Sequence, residues 1–189
     1  NIGVAKVIPG MLKSKNLDVV AISSRDLKTA KSWAAKLGIP KAYGSYEEMF
    51  EDPDIEAVYN PLPNHLHIRM TLAAARAGKH VLVEKPMTLN SQHATELIEL
   101  AESKKLTLMV GHTFEYNSAV HALKKYMDSG ELGEVYYIDA ARLNLGLFQR
   151  DTNVLWDLAP HDISILLYLL GETPLSVSAH GMQCVSNGI

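Results

Sequence analysis

The segment KHVLVEKPMT, residues 79–88, reads as a buried strand through Val81, Leu82 and Val83, then places Glu84, Lys85 and Pro86 with no spacer. Proline fixes its own φ and keeps the residue before it out of helical geometry, so Lys85 is held on a stiff backbone. Such rigidity suits a catalytic group, although a glutamate beside a lysine is more often a solvated pair of small energetic value. A second concentration is NVLWDLAPHDIS, in which Asp157 and His161 are four apart and share one side of a helical turn. Pro160 is tolerated in a first helical turn, which places the pair near a helix start and predicts a helix over 162–170. Asp157 is then either a cap for free amides or a working partner of His161, and His161 is either a packed histidine or a functional one. The nearby His65 and His67 lack partners at zinc spacing, so no metal site is expected.

The elements that position these residues follow two alternating periods. Residues 17–23 read as a short buried strand, and Leu27, Ala30, Trp33, Ala34 and Leu37 then recur at helical spacing until Gly38 stops them. The same rhythm returns in the strand at 55–60, the alanine-rich helix at 66–77, the strand at 80–84, the helix at 91–105 and the strand at 106–111. Strands alternating with helices through short loops predict a parallel α/β sheet with helices on both faces. Beyond Gly111 the pattern changes to a helix at 118–128, a long strand at 134–146, the helix at 162–170 and a strand at 175–185. That succession predicts a second, α+β unit, with the boundary between 1–112 and 113–189.

In open parallel sheets ligands bind beyond the carboxyl ends of the strands. At those ends lie Ser24-Arg25, the run Asn60-Pro61-Leu62-Pro63-Asn64-His65, Glu84-Lys85-Pro86 and Gly111-His112. Asn, Pro and Gly there are also ordinary turn chemistry.

Composition bounds the function classes. With 189 residues, 47% of them hydrophobic, the chain can bury one substantial core and part of another. A net charge of -3 with interleaved signs offers no field for nucleic acid or an anionic membrane. The single cysteine, Cys184, fits a reducing compartment, and no apolar run is long enough to span a bilayer, so a cytoplasmic protein is expected. The first residue is Asn1 and the last strand runs nearly to Ile189, so the expectation is a chain cut at both ends.

In order along the chain, AVYNPLPNHLH, AGKHVLVEKPMT, GHTFEYN and LWDLAPHDI resemble the Gfo/Idh/MocA family of nicotinamide-dependent oxidoreductases. The resemblance covers nearly the whole sequence and rests on Glu-Lys-Pro together with Asp-x-x-x-His. GHTFEYN, RLNLG and NVLWDLAPHD are similar to members that oxidise sugar nucleotides, of the UDP-N-acetyl sugar 3-dehydrogenase kind. It implies an N-terminal Rossmann domain and a C-terminal domain with an open, mostly antiparallel sheet, here incomplete, a cis bond before Pro86, and a homo-oligomer, dimer or tetramer. Ile2 and Gly3 would end a phosphate-binding loop whose first strand precedes Asn1.

The resemblance also implies roles. An acid after the second strand of such a fold binds the ribose of NAD, and an arginine accommodates the 2′-phosphate of NADP. With Ser24 and Arg25 at that end and Asp26 one step later, the expectation favours NADP over NAD. His161 would be the base for the substrate hydroxyl, since histidine titrates near working pH. Lys85 would donate to the substrate oxygen or share the base role, and Asp157 would orient the imidazole or bind a hydroxyl. Asn60, Pro61, Asn64 and His65 would line the nicotinamide ribose, with Glu84 fixing nearby groups. Tyr116, Asn117, Arg142, Asn144 and Asn153 fall on the substrate side, for a sugar or sugar nucleotide. The family also contains dinucleotide-binding sensors and glycosidases that use NAD transiently, which stand as the alternatives.

Overall fold

The computed structural model describes residues 3–143 and 153–182. The chain forms two compact units, Asn1–Gly111 and His112–Ile189.

The first unit opens with a π turn, Gly3–Val7, continued by α1, Ile8–Met11. It proceeds through β1 (Ala21–Ser23), α2 (Leu27–Leu37), β2 (Lys41–Tyr43), α3 (Tyr46–Glu51), β3 (Ala57–Asn60), α4 (Asn64–Arg76), β4 (His80–Val83), α5 (Ser91–Ser103) and β5 (Leu108–Val110). Every pairing is parallel: β1 with β2, and β4 between β3 and β5. The strand β4 lies between β3 and β5, and its Val81 and Val83 side chains are buried in the core.

Local signals in the residues set the helix ends. Asp26 caps α2 by accepting the amides of Lys28 and Thr29, and Gly38 ends it in the left-handed region at φ 69°. Asn90 caps α5 through the amides of Gln92 and His93. In α4, Ala74 is fully buried and Ala75 nearly so, and their small side chains let the helix approach β3 and β4 closely. The core there joins Phe50, Ile55, Val58, Met70, Ala74, Val81 and Val83. Truncating a buried side chain of this kind, such as Met70→Ala, costs about 2–5 kcal/mol.

Three differences from the sequence reading concern this unit. The strand expected at 17–23 is paired over Ala21–Ser23 alone, since its partner β2 is three residues long and Leu17 and Asp18 are exposed. The elements β2 and α3 lie at 41–51, where the sequence reading assigned no element. The parallel sheet is present as two ladders, with no pairing among the described residues that joins β1 or β2 to β3, β4 or β5.

The second unit contains a 3-10 turn, Thr113–Tyr116, then α6 (Ser118–Asp128) and α7 (Val154–Leu170). The rings of His121 on α6 and Tyr168 on α7 pack at 5.7 Å. The helix expected from residue 162 starts at Val154, because Asn153 caps it by accepting the Trp156 amide at 3.1 Å. Pro160 therefore lies inside the helix, not in its first turn, and removes the bond that would close on the Trp156 carbonyl. The strands expected at 134–146 and 175–185 are not formed in their described parts, residues 134–143 and 175–182, where Tyr136, Tyr137 and Leu175 are largely exposed. Alternation supplies a face, but a strand exists by pairing, and these segments find no ladder partner among the described residues.

Candidate active site

Parallel pairing brings the carboxyl ends of β3 and β4 side by side. Asn60 stands in register with Val83, the Glu84 amide donates to the Asn60 carbonyl at 3.1 Å, and the Gly111 amide donates to the Val83 carbonyl at 2.8 Å. The loops after β3 and β4 thus leave the sheet together, with Gly111 beside them.

Within this edge Glu84 is anchored. Its Oε1 accepts the Tyr59 hydroxyl at 2.7 Å, and a Cβ on Gly111 would come within 3.1 Å of Oε2. Burial and then the Glu84 carboxylate push the Tyr59 hydroxyl well above the usual tyrosine range. On the other side of Lys85, the Lys85–Pro86 bond is cis. The Pro86 carbonyl oxygen lies 2.7 Å from His67 Nδ1. Lys85 is half-buried between these two anchors.

The loop after β3 is organised from within by Asn60. Its side chain is buried, donates to the His67 carbonyl at 3.2 Å and the Thr71 hydroxyl at 3.0 Å, and accepts the Leu62 amide at 3.3 Å. In the loop expected to line the cofactor, these polar atoms shape the turn and fasten it to α4. Pro61 and Asn64 are half-buried in the same loop and helix start, and His65 is exposed.

At the end of β1, Ser24 is half-buried and its amide donates to the Tyr43 carbonyl at 3.1 Å. Arg25 is exposed. Asp26 is turned into α2, where its carboxylate also accepts the Thr29 hydroxyl at 2.7 Å. The Thr29 hydroxyl and then the Lys28 amide hold that carboxyl below its usual range. Gly3 is buried at the head of the first helical run, while Ile2 lies outside the described residues.

In the second unit Asp157 and His161 share α7 four residues apart. Asp157 belongs to the first turn and is not its cap, a role held by Asn153. The edge of the His161 ring meets Phe114 at 4.9 Å, and the Arg142 guanidinium lies over the same Phe114 ring at 4.9 Å. Arg142 Nε also donates to Asp162 at 2.7 Å. Arg142, expected on the substrate side, is therefore held by a carboxylate and an aromatic face. Asn117, likewise expected there, caps α6 through the Ala119 amide at 2.9 Å. Tyr116 is exposed, and Asn144 lies outside the described residues.

Sequence reasoning missed Tyr59, His67 and Phe114 as members of these clusters. The period-2 position of Tyr59 on β3 was a usable signal for its contact with the neighbouring strand. The contact of Phe114 with His161 spans distant residues and carries no local mark.

A buried glycine at a helix head, an arginine beside the capping aspartate after β1 and polar loops after β3 and β4 are the features that the sequence reading expected to meet a dinucleotide. Among the described residues no group of three His, Cys, Asp or Glu is placed to hold a metal ion, and no helix is long and apolar enough to cross a membrane.

Comparison with known proteins agrees with this arrangement. Residues 1–112 match the model of the oxidoreductase family GFO_IDH_MocA, NAD-binding Rossmann fold, and residues 120–188 match the GFO/IDH/MocA C-terminal domain. An uncharacterized oxidoreductase of Rhizobium meliloti is 39% identical over 180 residues, 94% of this chain and 52% of that protein. D-xylose 1-dehydrogenase (NADP(+)) 2 of Haloferax volcanii is 40% identical over 134 residues, 71% of this chain and 41% of that protein. The crystal structure of KijD10, a 3-ketoreductase of Actinomadura kijaniata in complex with NADP and TDP-benzene, superposes with a TM-score of 0.65 at 32% identity, over 69% of this chain and 40% of that one. The chain thus spans about half the length of the relatives it matches, or less. On its Rossmann half and its C-terminal match together, the chain belongs to the Gfo/Idh/MocA family of oxidoreductases.

Proposed function

We propose that this protein is an NAD(P)-dependent oxidoreductase that moves a hydride between nicotinamide C4 and a ring C–OH carbon of a sugar, sugar nucleotide or related polyol. The observation that carries the reading is Lys85 at the end of β4, flanked by a carboxylate tied to Tyr59 and a carbonyl in contact with His67. A cation so held can stabilise charge developing on an alcohol oxygen without reorganising first.

The nicotinamide cofactor, when bound, accepts or supplies the hydride. The chain's own residues handle the proton and the orientation. His161 takes the hydroxyl proton during oxidation and returns one during reduction, with Asp157 one turn earlier on α7 orienting its imidazole. Lys85 donates to the substrate oxygen and can share the base role. The loop carrying Pro61, Asn64 and His65 would hold the ribose, and Gly3 at its helix head would hold the pyrophosphate. Tyr116 and Arg142 serve the substrate.

Preference for NADP is supported by two features. The Asp26 carboxylate is occupied in capping α2, so it is poorly placed to accept from a ribose 2′-hydroxyl, and Arg25 beside it is exposed. Two relatives named above also act with, or hold, NADP. For the substrate, one relative is named for a free sugar and another was crystallised with a thymidine diphosphate derivative, so both classes belong in the search. The UDP-N-acetyl sugars are the first sugar nucleotides to try.

The test is reduction of NADP and NAD, followed at 340 nm, with a panel of UDP-N-acetyl sugars, TDP-sugars, free aldoses including D-xylose, inositols and sugar acids. Accumulation of reduced cofactor with one class supports the reading and names the substrate. Release of a free sugar without reduced cofactor indicates a hydrolase, and cofactor binding with no turnover indicates a sensor; either result overturns it.

A further inference from the structure

His67 lies in α4 with 1% of its surface exposed, beneath the loops after β3 and β4. Its two ring nitrogens face two backbone carbonyls. Nδ1 lies 2.7 Å from the Pro86 oxygen and Nε2 lies 2.7 Å from the Leu62 oxygen. Carbonyl oxygens accept and do not donate, so the ring is the donor in either contact: the neutral imidazole donates to one, the imidazolium to both.

Those two carbonyls belong to the two loops that leave the sheet edge side by side. Leu62 sits between Pro61 and Pro63 after β3, and Pro86 follows Lys85 after β4. The base of His67 is itself fixed, since its own carbonyl accepts from Asn60, the last residue of β3. The ring therefore forms a brace from β3 and α4 across to the residue next to Lys85. With φ at Pro86 fixed by its ring, a displacement of that carbonyl carries the Lys85 backbone with it.

We propose that His67 is a positioning residue for Lys85: its ring, set on α4 between the Pro86 and Leu62 carbonyls, holds the Glu-Lys-Pro loop against the loop after β3. The proposal rests on the assignment of Lys85 to the proton chemistry. An active-site group misplaced by about 1 Å loses on the order of 10²-fold in rate. Losing the brace should therefore appear in kcat far more than in cofactor affinity.

The experiment uses the full chain with His67→Phe, which keeps an aromatic ring and removes both nitrogens, and His67→Gln, which restores one amide donor. Turnover is measured with NADP and whichever of D-xylose, a TDP-sugar or a UDP-N-acetyl sugar gives the fastest wild-type reduction, alongside NADPH binding by fluorescence titration. The expected result is a fall in kcat of roughly 10–10²-fold for His67→Phe, with NADPH affinity within about threefold, and a partial recovery in His67→Gln. A folded His67→Phe with kcat within about threefold of wild type overturns the brace. So does an equal loss in the Phe and Gln variants with matched thermal midpoints, because packing alone would then account for it. Should wild type itself reduce no cofactor, the oxidoreductase reading fails, and the brace is still decided by amide hydrogen exchange over residues 84–92. Faster exchange in His67→Phe or His67→Gln supports it, and unchanged protection overturns it.

Discussion

The contact between Gly111 and Glu84 yields a quantitative test of how the Lys85 loop is held. A methyl group added at residue 111 would meet Glu84 Oε2 at 3.1 Å, Cδ at 3.3 Å and Oε1 at 3.4 Å. Those separations oblige the carboxylate to move by a few tenths of an ångström, but its Oε1 is already tethered to the Tyr59 hydroxyl at 2.7 Å. Overpacking against a tethered group costs about 1–3 kcal/mol. Replacing glycine by alanine also restricts the unfolded chain, which returns about 0.4–1 kcal/mol. Gly111→Ala should then destabilise by about 0–2.6 kcal/mol on these combined figures. Tyr59→Phe removes a hydrogen bond to a charged group, worth about 1.5–3 kcal/mol, and frees the carboxylate to turn away. In the Tyr59→Phe background the added methyl should therefore be nearly harmless. The unfolded-state contribution is the same in both backgrounds and cancels in the cycle. Urea unfolding of wild type, both single variants and the double variant should give a coupling of about 0.5–2 kcal/mol. Additivity within about 0.5 kcal/mol would refute the tether, because the two residues would then not act through one carboxylate.

With the proposed roles, Lys85→Ala and His161→Ala should each lower kcat by on the order of 10²-fold or more while NADPH still titrates; unchanged turnover in either removes that residue from the chemistry. Arg25→Ala should weaken NADP by far more than NAD in paired binding titrations, and equal losses would show that Arg25 reads no 2′-phosphate. Asp52 accepts from Lys41 at 2.7 Å and from the Tyr43 hydroxyl at 2.6 Å, and these partners hold its carboxyl well below the usual range. Its stabilisation is present above the ordinary aspartate value near ~3.9 and is lost as pH falls from there towards the lower folded value. Asp52→Asn should therefore lower the urea midpoint at neutral pH and flatten its fall in acid, and a parallel acid profile would contradict this. Asn153→Ala should cost about 1 kcal/mol as a lost cap and fray α7 from its start, as read by helical circular dichroism; a raised KM with unchanged stability would instead return Asn153 to the substrate side.

What could be read from the residues depended on how local the cause was. The alternation of strand and helix over 17–111 was legible because apolar period and glycine stops act within a few residues, and Gly38 ends α2 where expected. Glu84, Lys85 and Pro86 were legible because a charge pair and a proline interrupt a valine run. The start of α7 was misplaced because Pro160 was weighed above the Asn153 cap and the apolar turns between them. The caps made by Asn117 and Asn153 and the turn held by Asn60 carried no separate mark in the sequence, because an asparagine that caps or shapes a turn looks the same there as one that binds. Tyr59 meeting Glu84 across 25 positions, or His67 meeting Pro86 across 19, depends on strand register and helix placement. No window of sequence contains both partners.

The same unit carries two polar clusters, and their contrast bears on which one does chemistry. At the amino ends of the strands, Lys41 begins β2, Asp52 and Asp54 precede β3, and Lys79 precedes β4. There Lys41 Nζ reaches Asp52 at 2.7 Å and Asp54 at 2.5 Å, Tyr43 closes on Asp52, and Lys79 Nζ donates to the Asp52 carbonyl at 2.8 Å. This cluster neutralises itself and packs the loop that begins β3, so its perturbed groups report stability. At the carboxyl ends the Asn60 and His67 side chains contact backbone carbonyls and Glu84 accepts the Tyr59 hydroxyl, and together these contacts fasten the two loops around Lys85. Strong charge contacts occur at both edges, so their strength does not distinguish function. What distinguishes the second edge is that its hydrogen bonds fix the frame of a lysine lying where a parallel sheet receives its ligand. Breaking the first cluster should therefore change the pH range of folding, whereas breaking the second should lower turnover by more than its cost in stability explains.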